Sequence, residues 1–396
     1  MTAAQGPGAP MELEQAAGFM QDLLRSMLTH GASDLIITAG FPPAIRVDGQ
    51  VRPLTEGQLS GEQSAILVRA IMNDRQNREF DATKECNFAI SPEGIGRFRV
   101  SAFVQRGRQG AVLRTISPKI PTVEELNLPP VLKDIAMTKR GLVIVVGATG
   151  SGKSTSLAAM VDHRNRNSRG HIVTIEDPIE YMHEHEGCVM TQREVGVDTT
   201  EWRTALKNVL RQAPDVVQIG EIRDRETMEQ AVIFAETGHL CLSTLHATNA
   251  NQALDRIINL YTQERRQQLL MDLSFNLKAV ISQRLLRRAG GEGRLPAVEV
   301  LVNTPLVADM IFKGDVAGLK EVMAKSQRAG MQTFDQSIFN LYESGAVVYE
   351  EAIRNADSQN ELRLRIKLES KREDRRFDEG LDSITLDDED HGRRLA

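Results

Sequence analysis

Gly147-Ala148-Thr149-Gly150-Ser151-Gly152-Lys153-Ser154 is a complete G-x-x-x-x-G-K-S sequence, and its surroundings decide the fold. Just before it, Gly141-Leu142-Val143-Ile144-Val145-Val146 is a short, β-branched apolar run that predicts a buried strand. Just after it, residues 154–161 can open a helix. Strand, glycine loop and helix in that order make a phosphate cradle. Glycines let backbone N–H groups curl around anionic oxygens, and the helix N-terminus adds favourable partial charge. In such a loop Lys153 reaches the β- and γ-phosphates of a bound nucleotide and the Ser154 hydroxyl ligates Mg²⁺. The expected nucleotide contact therefore runs from Gly147 through Thr155.

Outward from the loop, apolar strands alternate with helical stretches: 142–146, 172–175, 216–219 and 240–244. That is the βαβ rhythm of a parallel-sheet, α/β nucleotide-binding domain. Residues 254–366 read as mainly helical, with one long helix expected over 265–286. Upstream the texture differs. Helical spacing runs over 11–28, a strand over 35–37, and a hairpin pairs 44–47 with 51–54 across Asp48-Gly49. A further helix is expected over 63–72, and alternation through Phe98, Val100, Ala102 and Val104 precedes another strand over 111–116. This half reads as α+β with an antiparallel sheet. The expected organisation is a disordered N-terminus (1–10), an N-terminal domain (11–117), a linker holding Pro118, Pro121, Pro129 and Pro130 (118–130), the nucleotide domain (131–369) and a disordered acidic tail (370–396). The tail carries nine acidic and six basic residues.

Composition excludes several classes. The 396 residues are 41% hydrophobic and 26% charged, as in a soluble globular protein. A formal net charge of −6 supplies no basic field, which argues against a nucleic-acid translocase. The three cysteines, Cys86, Cys188 and Cys241, form no C-x-x-C pair, so neither a disulfide framework nor a cysteine zinc site is expected. The N-terminus lacks a signal-peptide pattern, and no apolar run approaches the ~20 residues that span a bilayer. The expected location is cytoplasmic, with any membrane role coming through partners.

Three more segments sharpen the chemistry. Ile175-Glu176-Asp177-Pro178-Ile179-Glu180 puts three carboxylates at a strand exit. They can polarise water and hold Mg²⁺, or they can be a helix-start acidic cluster favoured by the dipole. The apolar strand before Gly220-Glu221 places a carboxylate beside the metal, although Glu after Gly is unusual there. His239 and His246 bracket the expected 240–244 strand, where imidazoles can hydrogen-bond phosphate or carboxylates, or serve structure alone.

With these segments assembled, the chain resembles the secretion-type hexameric ATPases of type II secretion and type IV pilus systems, over nearly its whole length. Residues 147–154 match the family's Walker A motif, 176–180 its Asp box, Gly220-Glu221 its Walker B and 239–246 its His box. The resemblance implies an N-terminal PAS-like domain followed by a RecA-like P-loop ATPase domain. It gives Glu180 as general base, Glu221 as the metal-side carboxylate, Lys153 and Ser154 on phosphate and Mg²⁺, and His239 with His246 as the His-box pair. Arginines of the N-terminal domain also reach the nucleotide in this family, with Arg99, Arg106 and Arg114 as candidates. Within the family the chain is similar to the PilT/PilU retraction branch, nearer its PilU side, through 85–91, 206–215 and 331–336. Assembly and secretion members usually carry a four-cysteine zinc module that is lacking here. The resemblance implies a homo-hexamer powering pilus retraction and twitching motility, with a PilT-like retraction ATPase and an inner-membrane pilus platform protein as partners. An adaptor ring with little hydrolysis of its own stays open as the alternative. One departure stands out. PilT-type members carry Ala-Ile-Arg-Asn-Leu-Ile-Arg-Glu near the C-terminus, whereas this chain reads Val307-Ala308-Asp309-Met310-Ile311-Phe312-Lys313-Gly314, without either arginine or the glutamate.

Overall fold

The computed structural model describes residues 12–372 except 48, 117, 118 and 292. The expectations for 1–10, for the hairpin turn at Asp48 and for most of the acidic tail lie outside the described residues. The rest is an α/β structure with two sheets.

The first sheet is antiparallel, in the order β3-β2-β1-β6-β5-β4. Its strands are β1 (Asp34–Ile37), β2 (Ala44–Val47), β3 (Gln50–Pro53), β4 (Glu85–Ile90), β5 (Arg97–Gln105) and β6 (Arg108–Ile116). Alternation fixes which face is buried. Phe98, Val100 and Ala102 of β5 and Ala111 and Leu113 of β6 are buried beneath the helix Leu13–Thr29, whose Ala16, Met20, Leu24 and Met27 recur at helical spacing. Arg97, Arg99 and Arg114 therefore stand on the opposite face.

The second sheet runs β13-β12-β7-β11-β10-β8-β9. It contains β7 (Gly141–Val146), β8 (His171–Glu176), β9 (Val189–Glu194), β10 (Val216–Ile219), β11 (Leu240–Leu245), β12 (Leu277–Arg287) and β13 (Arg294–Val302). All neighbours are parallel except the β12–β13 pair. Every residue of β7 is buried because helices cover both faces, which explains its unbroken apolar run. Burying one such valine or isoleucine is worth about 1.5–3 kcal/mol.

The helix expected over 265–286 is corrected. It ends at Asn276, and residues 277–287 are strand β12, seated between β7 and β13. Burial on both faces erases the alternation that would have marked a strand, and β-branched Val280 and Ile281 fit its pleat. β13 also lies within the 254–366 stretch expected to be mainly helical; its Pro296 is tolerated because the strand lies at the sheet edge. Part of the proline-rich segment is packed rather than free. Val123 and Leu128 are buried in the same apolar cluster as Val143 and Val145 of β7.

Candidate active site

β7 delivers the glycine loop at its C-terminal end, and the helix Lys153–Asn167 leaves it. The loop needs its glycines for two reasons. Gly147, Gly150 and Gly152 all have positive φ, and two of them leave no room for a side chain. A Cβ on Gly147 would stand 2.3 Å from Ser151 Oγ and 2.6 Å from the Gln283 carbonyl; one on Gly152 would stand 2.7 Å from Gln283 Nε2. Gln283, on β12, was missed by sequence reasoning. Its buried amide donates to the Ser151 carbonyl at 2.8 Å and accepts from Ser156 Oγ at 2.6 Å, fixing both ends of the turn into the helix. Lys153 Nζ donates to the carbonyls of Gly147 and Ala148 at 2.9 and 3.0 Å, so the lysine curls over its own loop. Burial pulls its pKa down, opposed by the negative charges of Glu221 and Glu180. Ser151 Oγ is buried without a hydrogen-bond partner beside this cradle.

The C-terminal ends of β7, β8, β10 and β11 open on one cleft of about 690 Å³, the edge where parallel sheets bind ligands. β8 brings Glu176, Asp177 and Glu180; β10 brings Glu221; β11 brings His246. Their environments separate them. Glu176 is buried, accepts from Thr174 Oγ1 at 2.7 Å and Gln192 Nε2 at 3.3 Å, and burial raises its pKa. Glu180 is half-exposed, with Arg99 Nη1 at 3.8 Å from its Oε1. Glu221 has His246 Nε2 at 3.0 Å on one oxygen and accepts from Arg223 Nε at 2.9 Å on the other. Arg223 also approaches Asp177 at 3.9 Å, tying the two strand exits together. Tyr181, whose hydroxyl lies 2.9 Å from Thr155 Oγ1, and His183, which burial pushes down to about 4, are further lining residues that sequence reasoning did not single out.

The N-terminal arginines divide. Arg99 and Arg114 are directly paired across β5 and β6 and both line the cleft. Like charges so opposed repel. Buried Asp34 relieves this by accepting from Arg114 Nε at 2.8 Å. Arg106 is not brought to the cleft: it lies in the exposed β5–β6 turn at φ 49°. Nor is His239, which precedes β11 at the opposite end from His246; its Nδ1 stands 3.2 Å from the Phe234 carbonyl and 3.1 Å from Thr237 Oγ1. A strand of six residues separates the two histidines, so one cleft cannot hold both.

Among the described residues, no group of three or more His, Cys, Asp and Glu side chains is arranged to hold a metal by itself. One hydroxyl (Ser154) and one carboxylate (Glu221) in a phosphate cradle instead fit Mg²⁺ that draws its other ligands from phosphate and water. No helix among the described residues is long and apolar enough to cross a membrane.

The family described as type II/IV secretion system protein matches residues 12–354. The chain is 58% identical over 378 residues to the type IV pilus ATPase PilU of Pseudomonas aeruginosa, covering 95% of this chain and 99% of that one. It is 43% identical over 335 residues to the type IV pilus retraction ATPase PilT of the same species, covering 85% and 97%. The solved structure of the pilus retraction motor PilT with bound ADP matches with a TM-score of 0.82 at 37% identity, covering 87% of this chain and 98% of that one.

Proposed function

This chain belongs to the type II/IV secretion system protein family, and we propose that it works as a hexameric, ATP-driven motor of type IV pilus retraction, accessory to a PilT-like retraction ATPase. The observation that carries the reading is the convergence of Lys153, Glu180, Glu221 and His246 on one cleft, with Arg99 presented across it from the other sheet. In this reading residues 11–117 are the PAS-like domain, 118–130 the linker, 131–369 the RecA-like ATPase domain and 370–396 a tail. The protein is cytoplasmic and meets the inner membrane through a pilus platform protein.

The residues divide the work on MgATP. Backbone N–H groups of the loop and the N-terminus of the helix Lys153–Asn167 take the phosphates. Lys153 exchanges the Gly147 and Ala148 carbonyls for phosphate oxygens, a charge-assisted contact worth more than those it leaves. Ser154 and Glu221 would hold Mg²⁺, which neutralises phosphate charge when bound. Glu180 takes the proton of the attacking water, and Arg99 with Arg114 meets negative charge growing on the γ-phosphate. His246 holds the Glu221 carboxylate in place. Intact Glu180 and Glu221 favour a hydrolysing enzyme over an adaptor ring.

Phosphate release by the purified protein, with and without its PilT-like paralogue, tests this. MgATP turnover abolished by Lys153→Ala is expected. No turnover under either condition would leave the adaptor.

A further inference from the structure

Two arginines of β5 cross to the second sheet in parallel. Arg97 and Arg99 stand on the same strand face, two residues apart. Arg99 faces Glu180; Arg97 Nη2 donates to Glu194 Oε2. Glu194 ends β9 and is buried, and the Arg97 side chain is only 17% exposed, so this second pair is closed off from water while the first is half-open. The same Glu194 oxygen accepts from the backbone N–H of Ile179 at 3.1 Å, the residue directly before Glu180. Val195 N–H donates to the Glu176 carbonyl at 2.8 Å, fastening the end of β9 to the strand that feeds this segment. One carboxylate thus grips the first sheet through Arg97 and the stretch carrying Glu180 through Ile179.

We propose that Arg97 and Glu194 are positioning residues that hold Arg99 and Glu180 in register, so that hydrolysis proceeds only while the first sheet is seated against the second. The proposal rests on the reading of Glu180 and Arg99 as hydrolytic residues. Three observations carry it. Arg97 donates a second hydrogen bond to Ser91 Oγ at 3.4 Å, which orients its guanidinium within the first sheet. Its Nε is buried with no hydrogen-bond partner, so the group is held where it is by the Glu194 contact rather than by a complete shell of its own. Glu194 is buried, so losing the Arg97 guanidinium while the two sheets stay together would leave its charge uncompensated. The phosphate loop lies outside this chain of contacts: Lys153 and Gln283 make none of them. ATP binding and ATP turnover should accordingly separate.

The test is MgATP hydrolysis by the full-length protein carrying Arg97→Gln, Glu194→Gln or both, alongside ATP affinity and melting temperature. A misplacement of about 1 Å costs on the order of 100-fold, so each single variant should lose 10- to 100-fold in kcat with ATP affinity within threefold of wild type. The double variant should be no worse than either single one, and Arg97→Lys should recover part of the rate. Arg99→Ala should cost little more in the Arg97→Gln background, since the guanidinium it removes is already out of place. A purely structural pair would instead lower melting temperature and ATP affinity together and leave the Arg99→Ala loss undiminished. Wild-type kcat in Arg97→Gln and Glu194→Gln, with Glu180→Gln inactive, would overturn this proposal alone. Glu180→Gln turning over normally would overturn the hydrolytic reading and this proposal with it.

Discussion

Gln283 Nε2 donates to the Ser151 carbonyl at 2.8 Å, so a side chain of β12 holds the loop that β7 delivers. Its Oε1 also accepts from Ser156, one turn into the helix, so the cradle is braced from outside rather than by its glycines alone. Gln283→Leu leaves two buried polar groups unpaired, each costing about 1–3 kcal/mol. Lower melting temperature and an ATP dissociation constant raised at least ~10-fold are expected. Gln283→Glu keeps the Ser156 contact, loses the donor to Ser151 and adds a carboxylate beside the phosphates. It should weaken ATP binding more than it weakens the fold. Thermal melts and a fluorescent-nucleotide titration measure both; wild-type ATP affinity in Gln283→Leu would show that the brace is dispensable.

Lys153→Ala removes the one lysine among the described residues that line the cleft and leaves the buried scaffold of β7 intact. Charge-assisted hydrogen bonds are worth about 1.5–3 kcal/mol each, and in the proposed role the lysine would span two phosphates, so MgATP affinity should fall ~100-fold or more. The circular dichroism spectrum should not change. Retained micromolar affinity counts against the role given to Lys153.

Glu180→Gln should bind ATP normally and hydrolyse it ~10²- to 10⁴-fold more slowly, trapping nucleotide in the protein. Glu180 faces the open cleft, whereas burial drives Glu176 toward its protonated form. If the variant turns over at the normal rate, Glu176 or Asp177 is the better base. Single-turnover hydrolysis of prebound ATP separates these outcomes.

The sequence made some of this legible and hid the rest for physical reasons. β7, β8, β10 and β11 stood out because central parallel strands are short apolar runs, and Lys153, the carboxylates Glu176, Asp177 and Glu180, Glu221 and His246 follow at their C-terminal ends, Glu180 being singled out among the three by the family resemblance alone. β9 did not stand out, because Val189–Glu194 is a half-exposed edge strand with little apolar signal. β12 was hidden by being buried on both faces, and Gln283 went with it. Its only trace was a polar Ser282-Gln283 pair inside an apolar stretch, a signal that a buried strand carries polar work. The separation of His239 from His246 was implicit in the intervening strand, which sends its two ends to opposite edges of the sheet.

His183 should make stability fall in acid. Burial pushes its pKa down to about 4 from 6.5, and its Nδ1 has no hydrogen-bond partner. Between those values the unfolded chain takes up a proton that the folded chain refuses, so the full contribution is present above pH 6.5. As pH drops toward 4 up to about 3 kcal/mol is lost. Glu176 and Glu299, raised by burial, act in the opposite sense, so the slope must be compared between wild type and variant. Urea unfolding of His183→Gln at pH 7 and pH 5 should show a smaller loss than wild type; equal slopes would reject the assignment.

The helix Pro305–Lys313 bears on what this motor can do alone. Val307 and Ile311 are buried, so the helix still packs on the core despite its changed sequence. At its surface Asp309 pairs with Lys313 at 2.7 Å, and Leu306 and Phe312 are exposed. PilT-type members present two arginines and a glutamate over this stretch; here one arginine position is an aspartate whose charge is spent on the neighbouring turn. Any partner contact or domain coupling built on those charges is missing. Retraction by this chain should therefore require a PilT-like ring, even a catalytically dead one, to supply it. In cells, pilus retraction should persist when that partner carries an inactivating active-site substitution and this chain is intact, and should stop when the partner is deleted. Retraction driven by this chain after deletion of the partner would overturn the accessory role while leaving its ATPase chemistry untouched.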